Sequence, residues 1–190
     1  MKNLKNLAEK EDPRVKRTRA LIVTSFEALL AEKGFDSVTV QDVTDKAEIN
    51  RATFYAHFPD KYALLDYAVQ KAFMAAIEKR NLDMCNYSPD NLRHLILIVC
   101  DFLVFLHNGC AHSNPQFESL IGGTIKKQIF ELLSHWLRKS KLPTELPVTV
   151  ATWAIYGLAS HYSHLEKRPA LEKFVDQAHP LVAVNLEQFA

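Results

Sequence analysis

The segment from Thr39 to Lys61 constrains the fold of this chain more than any other, because it predicts two short helices joined by a tight turn. Thr39 can cap a helix over 40–46, since its hydroxyl can accept a hydrogen bond from an amide of the first turn. Asn50 can cap a second helix over 51–57 in the same way. Two short helices in this order predict a helix-turn-helix, whose second helix enters the major groove of DNA.

The second short helix has an apolar side and a polar side. Phe54 and Phe58 are four residues apart and form the apolar side. The polar side carries groups that can hydrogen-bond phosphates or base edges. Together with the caps and the first turn of the following helix, this pattern predicts that the DNA-binding residues are Thr39, Asn50, Arg51, Thr53, Tyr55, His57 and Lys61.

This segment resembles the DNA-binding segment of TetR-family transcriptional regulators, and the resemblance covers roughly residues 13 to 80. The features that carry it are Thr39-Val40-Gln41-Asp42-Val43, the turn Ala47-x-Ile49-Asn50, and Thr53-Phe54-Tyr55-x-His57-Phe58-x-x-Lys61 with Leu64-Leu65 behind it. The resemblance implies a one-component transcriptional regulator that binds double-stranded DNA at a palindromic operator. A repressor, released from the operator by a small-molecule ligand, is favoured over an activator.

One position departs from the family pattern. TetR-like sequences usually place glycine in the turn where this chain has Glu48, because glycine adopts a left-handed conformation without strain. Glu48 in that conformation would cost on the order of 1 kcal/mol. Either the turn is built differently here, or the strain is tolerated.

The rest of the chain predicts helices and no strand, so the fold class is all-α. We expect an N-terminal three-helix DNA-binding head with its arm at residues 1–60. A long helix links it to an all-helical C-terminal effector-binding and dimerisation bundle at residues 61–190. Apolar periodicity and breaks at glycine and proline predict the remaining helices over 14–33, 60–81, 90–108, 115–140 with a kink at Gly122-Gly123, 147–166, and 170–189 interrupted at Pro180.

Dimerisation is expected because a single helix-turn-helix reads only a few base pairs. Two heads on a palindrome supply the missing specificity. Apolar stripes on the last two long helices are the candidate surface of a homodimer, and the alternative is that both stripes face the monomer's own core. The predicted interface residues are Val150, Trp153, Ala154, Gly157, Leu158, His161, Phe174 and Leu181.

The resemblance also implies a small-molecule effector pocket inside the C-terminal bundle. Asp101 lies in an otherwise apolar helix, where an unpaired charge is costly. It therefore needs a partner, a water-filled cavity or a ligand, and the alternative is that it faces solvent or pairs with Arg93 or a lysine. The predicted pocket residues are His94, Asp101, Phe102, Phe105, Phe117, Trp136 and Tyr156.

Composition and charge fit this class of protein. The 190 residues are 48% hydrophobic and carry a formal net charge of +1, but residues 1–19 are net positive and can contact phosphates. The apolar stretch 95–106 is too short to span a bilayer, so we expect a buried helix and no membrane association. The polar N-terminus lacks a secretory signal, which favours a cytoplasmic location.

Two other function classes remain open. A metal-binding protein would need the histidines to converge, but no HExxH helix occurs, and neither does a glycine-rich phosphate loop or a nucleophile elbow. We therefore expect no enzymatic activity, no cofactor and no metal. A helical adaptor that binds another protein is compatible with the same residues. The histidines considered are His107, His112, His135, His161 and His164.

Overall fold

The structure is a computed structural model, and it describes residues 12–109 and 115–189. Every regular element within these ranges is helical, which confirms the all-α prediction. The helices are α1 (Pro13–Ser37), α2 (Val40–Lys46), α3 (Arg51–His57), α4 (Lys61–Lys79), α5 (Pro89–Gly109), α6 (Pro115–Trp136), α7 (Glu145–His164), α8 (Leu171–Ala183) and a final 3-10 turn (Glu187–Phe189).

The chain divides into two compact units, one ending at Leu65 and the other beginning at Asp66. The boundary falls inside α4, five residues after the end of the predicted head. Each unit has its own fully buried side chains. We describe the two units separately, as the head and the body.

The head is built from α1, α2 and α3, with α1 packed on α2 and α2 on α3. Phe26, Val43 and Phe54 are completely buried, one from each helix. Neither short helix can be stable alone, because seven residues are too few for an isolated helix in water. This shared core therefore holds both of them.

The end of α1 differs from the sequence prediction. Gly34 breaks the regular helix with a φ of 73°, as its role as a terminator predicts, since a left-handed conformation costs glycine little. Residues 35–37 then form a further helical turn, beyond the predicted end of the helix at residue 33. The turn buries Phe35, whose ring meets that of Phe26 edge-on at 6.3 Å.

The body is centred on α7, which packs against α5, α6 and α8. Residues 95–100 of α5 are all buried, so this part of the helix is covered on every side, as its continuous apolar sequence predicts. Among the described helices, none is long and apolar enough to cross a membrane.

Two predicted helix breaks are absent. The first is at Gly122 and Gly123, where α6 continues as one helix. Gly122 serves close packing instead, because the Tyr156 ring lies where a Cβ would be. The second is at Pro180, which α8 passes through before it ends at Ala183. A proline removes one backbone donor, and here the flanking helical bonds maintain the helix.

Candidate nucleic-acid interface and body cavity

The start of α2 is fixed by a reciprocal cap between Thr39 and Asp42. The Asp42 amide donates to Thr39 Oγ1 at 3.2 Å, and the Thr39 amide and hydroxyl donate to Asp42 Oδ2 at 2.7 and 2.6 Å. Lys33 Nζ lies 2.9 Å from the same carboxylate oxygen. Hydrogen bonds from Thr39 and Lys33 hold the pKa of the Asp42 carboxyl well below its usual range. The Thr39 hydroxyl is therefore used within the head.

The turn between α2 and α3 has the left-handed residue that the resemblance implies. Glu48 has a φ of 53°. Its amide donates to the Asp45 carbonyl at 3.2 Å, and the Ile49 amide donates to the Thr44 carbonyl at 3.0 Å. This pair of bonds is a Schellman motif, in which glycine is the preferred residue at the position of Glu48. Of the two alternatives, the turn has the usual geometry and the strain is tolerated.

Asn50 caps α3 and orients its first turn. Asn50 Oδ1 accepts from the Thr53 amide at 2.7 Å and from the Thr53 hydroxyl at 2.9 Å. Phe54 is completely buried and Phe58 is nearly so. The apolar side of α3 therefore faces the head, and its opposite side faces solvent.

The solvent-facing side of α3 is formed by residues 51, 52, 55 and 56. Arg51 is exposed at the first position of the helix, and Tyr55 is 54% exposed with its ring edge-on to Phe54 at 5.5 Å. Ala52 and Ala56 are exposed beside them. The sequence prediction omitted these alanines because they carry no polar group. Their small size lets the helix approach another surface closely.

The ammonium group of Lys61 binds backbone carbonyls of its own chain, although the sequence predicted that it binds DNA. Its ammonium donates to the carbonyl oxygens of Phe35, Asp36 and Val38 at 3.1, 3.3 and 3.0 Å. It also lies 4.6 Å from the centre of the Phe35 ring. These contacts tie the start of α4 to the last turn of α1 and its C-cap. Of the other predicted residues, His57 is half-buried at the end of α3. The basic arm at residues 1–11 lies outside the described residues.

The residues predicted to line an effector pocket do not lie together. His94, Asp101 and Phe105 are on an exposed stripe of α5, because their spacing returns to the same helix face. Asp101 faces solvent and pairs with Arg80 of the segment after α4. The alternative partner Arg93 pairs with Asp176 of α8 at 2.7 Å instead. Asp101 is therefore satisfied without a cavity or ligand.

Two further pocket candidates are held by other contacts. Phe102 is buried, with its ring 5.3 Å from that of Phe73. Trp136 is also buried, and its indole donates to the Asp83 carbonyl at 3.1 Å. Trp136 lines a cavity of about 480 Å³ with residues 137, 139–142 and 188–189, away from the other candidates.

Phe117 and Tyr156 do share a cavity, which is small and lies between α5, α6 and α7. Its volume is about 50 Å³. Burial and the charge of Glu118 raise the pKa of the Tyr156 hydroxyl. One wall is apolar, and the other carries hydroxyl, carboxylate and imidazole groups. The apolar wall consists of Leu103, Leu106, Phe117 and Ile121, and the polar wall includes Tyr156, Ser160 and Ser163.

The stripe predicted for dimerisation is largely exposed. Trp153 is 60% exposed and Leu181 is 62% exposed. Leu146, omitted from the prediction, extends the stripe on α7 and is 76% exposed. A Cβ on Gly157 would meet no atom within 4 Å. Val150 and His161 are also exposed, whereas Ala154, Leu158 and Phe174 are half-buried.

These features define a helix-turn-helix protein with an all-helical body, and the comparison with known proteins matches its helix-turn-helix segment to a family. Residues 22–68 match the family of bacterial regulatory proteins called the tetR family. This range contains α2, the strained turn and α3. The helix-turn-helix segment of this chain is therefore similar to that of the tetR family.

Curated relatives match in the same region. A 68-residue segment is 40% identical to the uncharacterized HTH-type transcriptional regulator YxbF of Bacillus subtilis and covers 35% of this chain and 18% of YxbF. A 73-residue segment is 32% identical to IcaR of Staphylococcus aureus, the HTH-type negative transcriptional regulator of the biofilm operon icaADBC. It covers 37% of this chain and 39% of IcaR. The chain thus matches less than half the length of either relative.

Solved structures match along nearly the whole chain. A TetR-family regulator from Streptomyces coelicolor is 16% identical with a TM-score of 0.67, covering 93% of this chain and 98% of that protein. The regulator FadR of Bacillus subtilis, solved in complex with stearoyl-CoA, is 15% identical with a TM-score of 0.54, covering 88% and 98%. At these identities the likeness establishes the fold alone.

Proposed function

We propose that this protein is a homodimeric transcriptional repressor that binds a palindromic operator and is released by a small-molecule effector. The observation that carries the proposal is the exposed face of α3, where Arg51 and Tyr55 lie beside two alanines. The match of residues 22–68 to the tetR family supports it. Its proposed partner is chromosomal DNA, so it acts in the cytoplasm, and its proposed role requires no catalysis.

The side chains of α3 suit the major groove. A guanidinium can donate two hydrogen bonds to the O6 and N7 atoms of guanine, which makes Arg51 the proposed base reader. Tyr55 can donate to a phosphate, and an alanine methyl can contact the methyl group of thymine. We assign these roles to Arg51, Tyr55, Ala52 and Ala56.

The other predicted DNA-binding residues have supporting roles in this proposal. Thr39 and Asn50 cap the two short helices, and Thr53 completes the cap of α3. These caps fix the first turns of the two short helices and so hold the exposed face of α3 in place. Lys61 acts mainly by joining α4 to the last turn of α1, and His57 lies at the far end of α3.

The exposed stripe on α7 and α8 is the proposed dimer seam. Apolar side chains scattered singly on a surface need no explanation, whereas a contiguous patch marks an interaction site. Leu146, Val150 and Trp153 follow one face of α7, and Gly157 leaves open space on it. Leu181 and Val184 add a second exposed group on α8.

The proposed effector acts through the body. FadR was solved with stearoyl-CoA, and IcaR is named a negative regulator, which supports a ligand-responsive repressor here. The cavity beside Phe117 and Tyr156 is about 50 Å³, whereas sites for drug-sized ligands measure roughly 300–1,000 Å³. An organic effector would therefore have to widen the cavity. A ligand that binds the widened arrangement more tightly than the narrow one increases the population of the widened arrangement. If the widened arrangement also has the lower affinity for the operator, ligand binding releases the protein from DNA.

The proposal is tested by comparing Arg51→Ala with Lys127→Ala on an operator selected from random DNA. Each variant removes one exposed positive charge, but Lys127 lies on α6 of the body. We expect Arg51→Ala to weaken operator binding by roughly ten- to a hundredfold and to relax preference at one base position. Lys127→Ala should bind within twofold of the parent. Equal affinities of the parent and Arg51→Ala across a salt titration would contradict the proposal.

A further inference from the structure

Three metal-ligating side chains from three helices converge at the polar end of the small cavity. His107 lies near the end of α5, Glu118 in the first turn of α6, and His164 is the last residue of α7. One ligand atom from each residue lies within 4.8 Å of the other two. The two imidazole rings are 4.8 Å apart, and His164 Nε2 is 3.6 Å from Glu118 Oε1.

The orientation of the His164 ring is set by its own helix. His164 Nδ1 lies 2.8 Å from the Ser160 carbonyl oxygen and 3.2 Å from Ser163 Oγ. A carbonyl oxygen can only accept, so Nδ1 carries the hydrogen in this bond. In the neutral ring, Nε2 then presents a lone pair toward the Glu118 carboxylate. Such a backbone partner on the second nitrogen is the usual support of a metal-binding histidine.

A neutral Nε2 and a carboxylate oxygen are both acceptors, so a proton, a water or a metal cation can lie between them. A proton or a single water satisfies at most two acceptors. His107 brings a ligand atom of a third residue within 4.8 Å of the other two, and a metal cation can accept electron pairs from all three. Two imidazoles and one carboxylate are also the donor set that zinc and related transition metals take in open sites.

The spacing and surroundings fit a partly hydrated ion. Ligands about 2.1 Å from one zinc ion lie roughly 3 to 3.5 Å apart. The His164–Glu118 distance of 3.6 Å is already close to this value, and the most distant pair must approach by about 1.3 Å. The side chains of His164 and Glu118 are both nearly half exposed, which leaves them room to move. The adjoining cavity of about 50 Å³ has room for metal-bound water.

We propose that His107, Glu118 and His164 form a binding site for a divalent transition-metal ion of the zinc class. This departs from the sequence expectation of no metal, which considered the spacing of histidines along single helices. The three ligands are on separate helices, and the packing of α5 and α6 against α7 brings them together. The proposal concerns binding by the body alone and does not rest on the proposed repressor function.

The test is calorimetric titration of Zn²⁺ into the tag-free full-length chain after chelator treatment and dialysis. We expect saturable binding of one Zn²⁺ per chain, with much weaker binding of Mg²⁺, which prefers oxygen ligands. His164→Ala and His107→Ala should each lower the Zn²⁺ affinity at least tenfold. Glu118→Gln keeps the shape of the side chain and should lower it by a similar factor, so it tests the site even if an alanine variant misfolds.

The matched control is His161→Ala, which removes an exposed histidine on α7 three residues before His164. It should keep the parent Zn²⁺ affinity within twofold, with helical content confirmed by circular dichroism. The proposal is overturned if the parent chain binds no Zn²⁺, if the folded site variants bind as tightly as the parent, or if His161→Ala loses as much affinity as His164→Ala. Operator binding plays no part in this measurement, so its failure would leave the proposed function intact.

Discussion

At the residue scale, Glu48 carries the backbone strain of the helix-turn-helix. Its φ of 53° places a residue with a Cβ in the left-handed region, at a cost of about 1 to 2 kcal/mol. The strain persists because the Schellman bonds of Glu48 and Ile49 fix the turn, and the buried Val43 and Phe54 fix the helices on either side. Glu48 is exposed, so its side chain contributes little packing in return.

Replacing Glu48 with glycine should therefore stabilise the head. The substitution relieves about 1 to 2 kcal/mol of backbone strain, but glycine has more conformational freedom in the unfolded chain. The net increase in the free energy of unfolding of the head is about 0.5 to 1 kcal/mol. Amide hydrogen exchange of peptides covering α2 and α3 should slow by roughly threefold if the turn limits local opening. Glu48→Ala keeps the Cβ and should show no such slowing. Faster exchange in Glu48→Gly than in the parent would argue against stored strain.

The polar residues of the head show which single-residue roles the sequence predicts and which it does not. Residue type and spacing identify Thr39 and Asn50 as caps, and the structure has both. The same reasoning cannot distinguish a lysine that contacts phosphate from one that binds backbone carbonyls. The partners of Lys61 are more than twenty residues away in the chain, so their proximity depends on the folded head.

At the element scale, α7 has two apolar sides with different roles. Residues such as Ala151, Ile155 and Ala159 are completely buried in the body. The side that carries Leu146 and Trp153 is exposed. A helix that is apolar on both sides is expected inside a protein or at an interface, which is the basis of the proposed dimer seam.

We predict that Gly157→Glu converts a dimer into a folded monomer. A Cβ at this position would meet no atom of a neighbouring element within 4 Å, and glutamate is a better helix former than glycine, so the monomer should remain folded. In a closely packed seam it would bury an unpaired charge, which is strongly unfavourable. Sedimentation at micromolar concentration should show the parent as a dimer and the variant as a monomer with unchanged helical content.

Gly123→Glu is the matched control for this experiment. Gly123 is also an exposed helical glycine whose Cβ would meet no atom within 4 Å, but it lies on α6. This variant should remain a dimer. A parent that is monomeric, or a Gly157→Glu variant that dimerises as well as Gly123→Glu, would rule out the seam.

The helices of the body were predictable from sequence to within a few residues at most of their ends, because apolar periodicity and helix-breaking residues mark them. The exposure and the ion-pair partner of Asp101 were not predictable in this way. Its helix is apolar on most sides, but Asp101 falls on the narrow exposed stripe and reaches Arg80. Which stripe of a mostly apolar helix faces solvent depends on its neighbours, and a single sequence does not give their arrangement.

At the scale of the whole molecule, we propose that the head binds DNA and that the body forms the dimer and binds the small-molecule effector. The head was the easier part to predict, since its function resides in one continuous segment that also matches the tetR family. The cavity in the body was harder, because its lining comes from α5, α6 and α7 and includes residues far apart in the chain. Phe117 and Tyr156 alone among the predicted pocket residues line it.

The central claim is that two copies of this chain read two half-sites of one operator, and the spacing of the half-sites tests it most directly. Binding is measured by native mass spectrometry and by titration on a selected palindromic duplex, and on the same duplex with about five base pairs inserted at its centre. An insertion of about half a helical turn places the second half-site on the opposite side of the DNA. We predict two chains per uninterrupted duplex and at least a tenfold loss of affinity on insertion. One chain per duplex, or equal affinity for the two duplexes, would contradict the account.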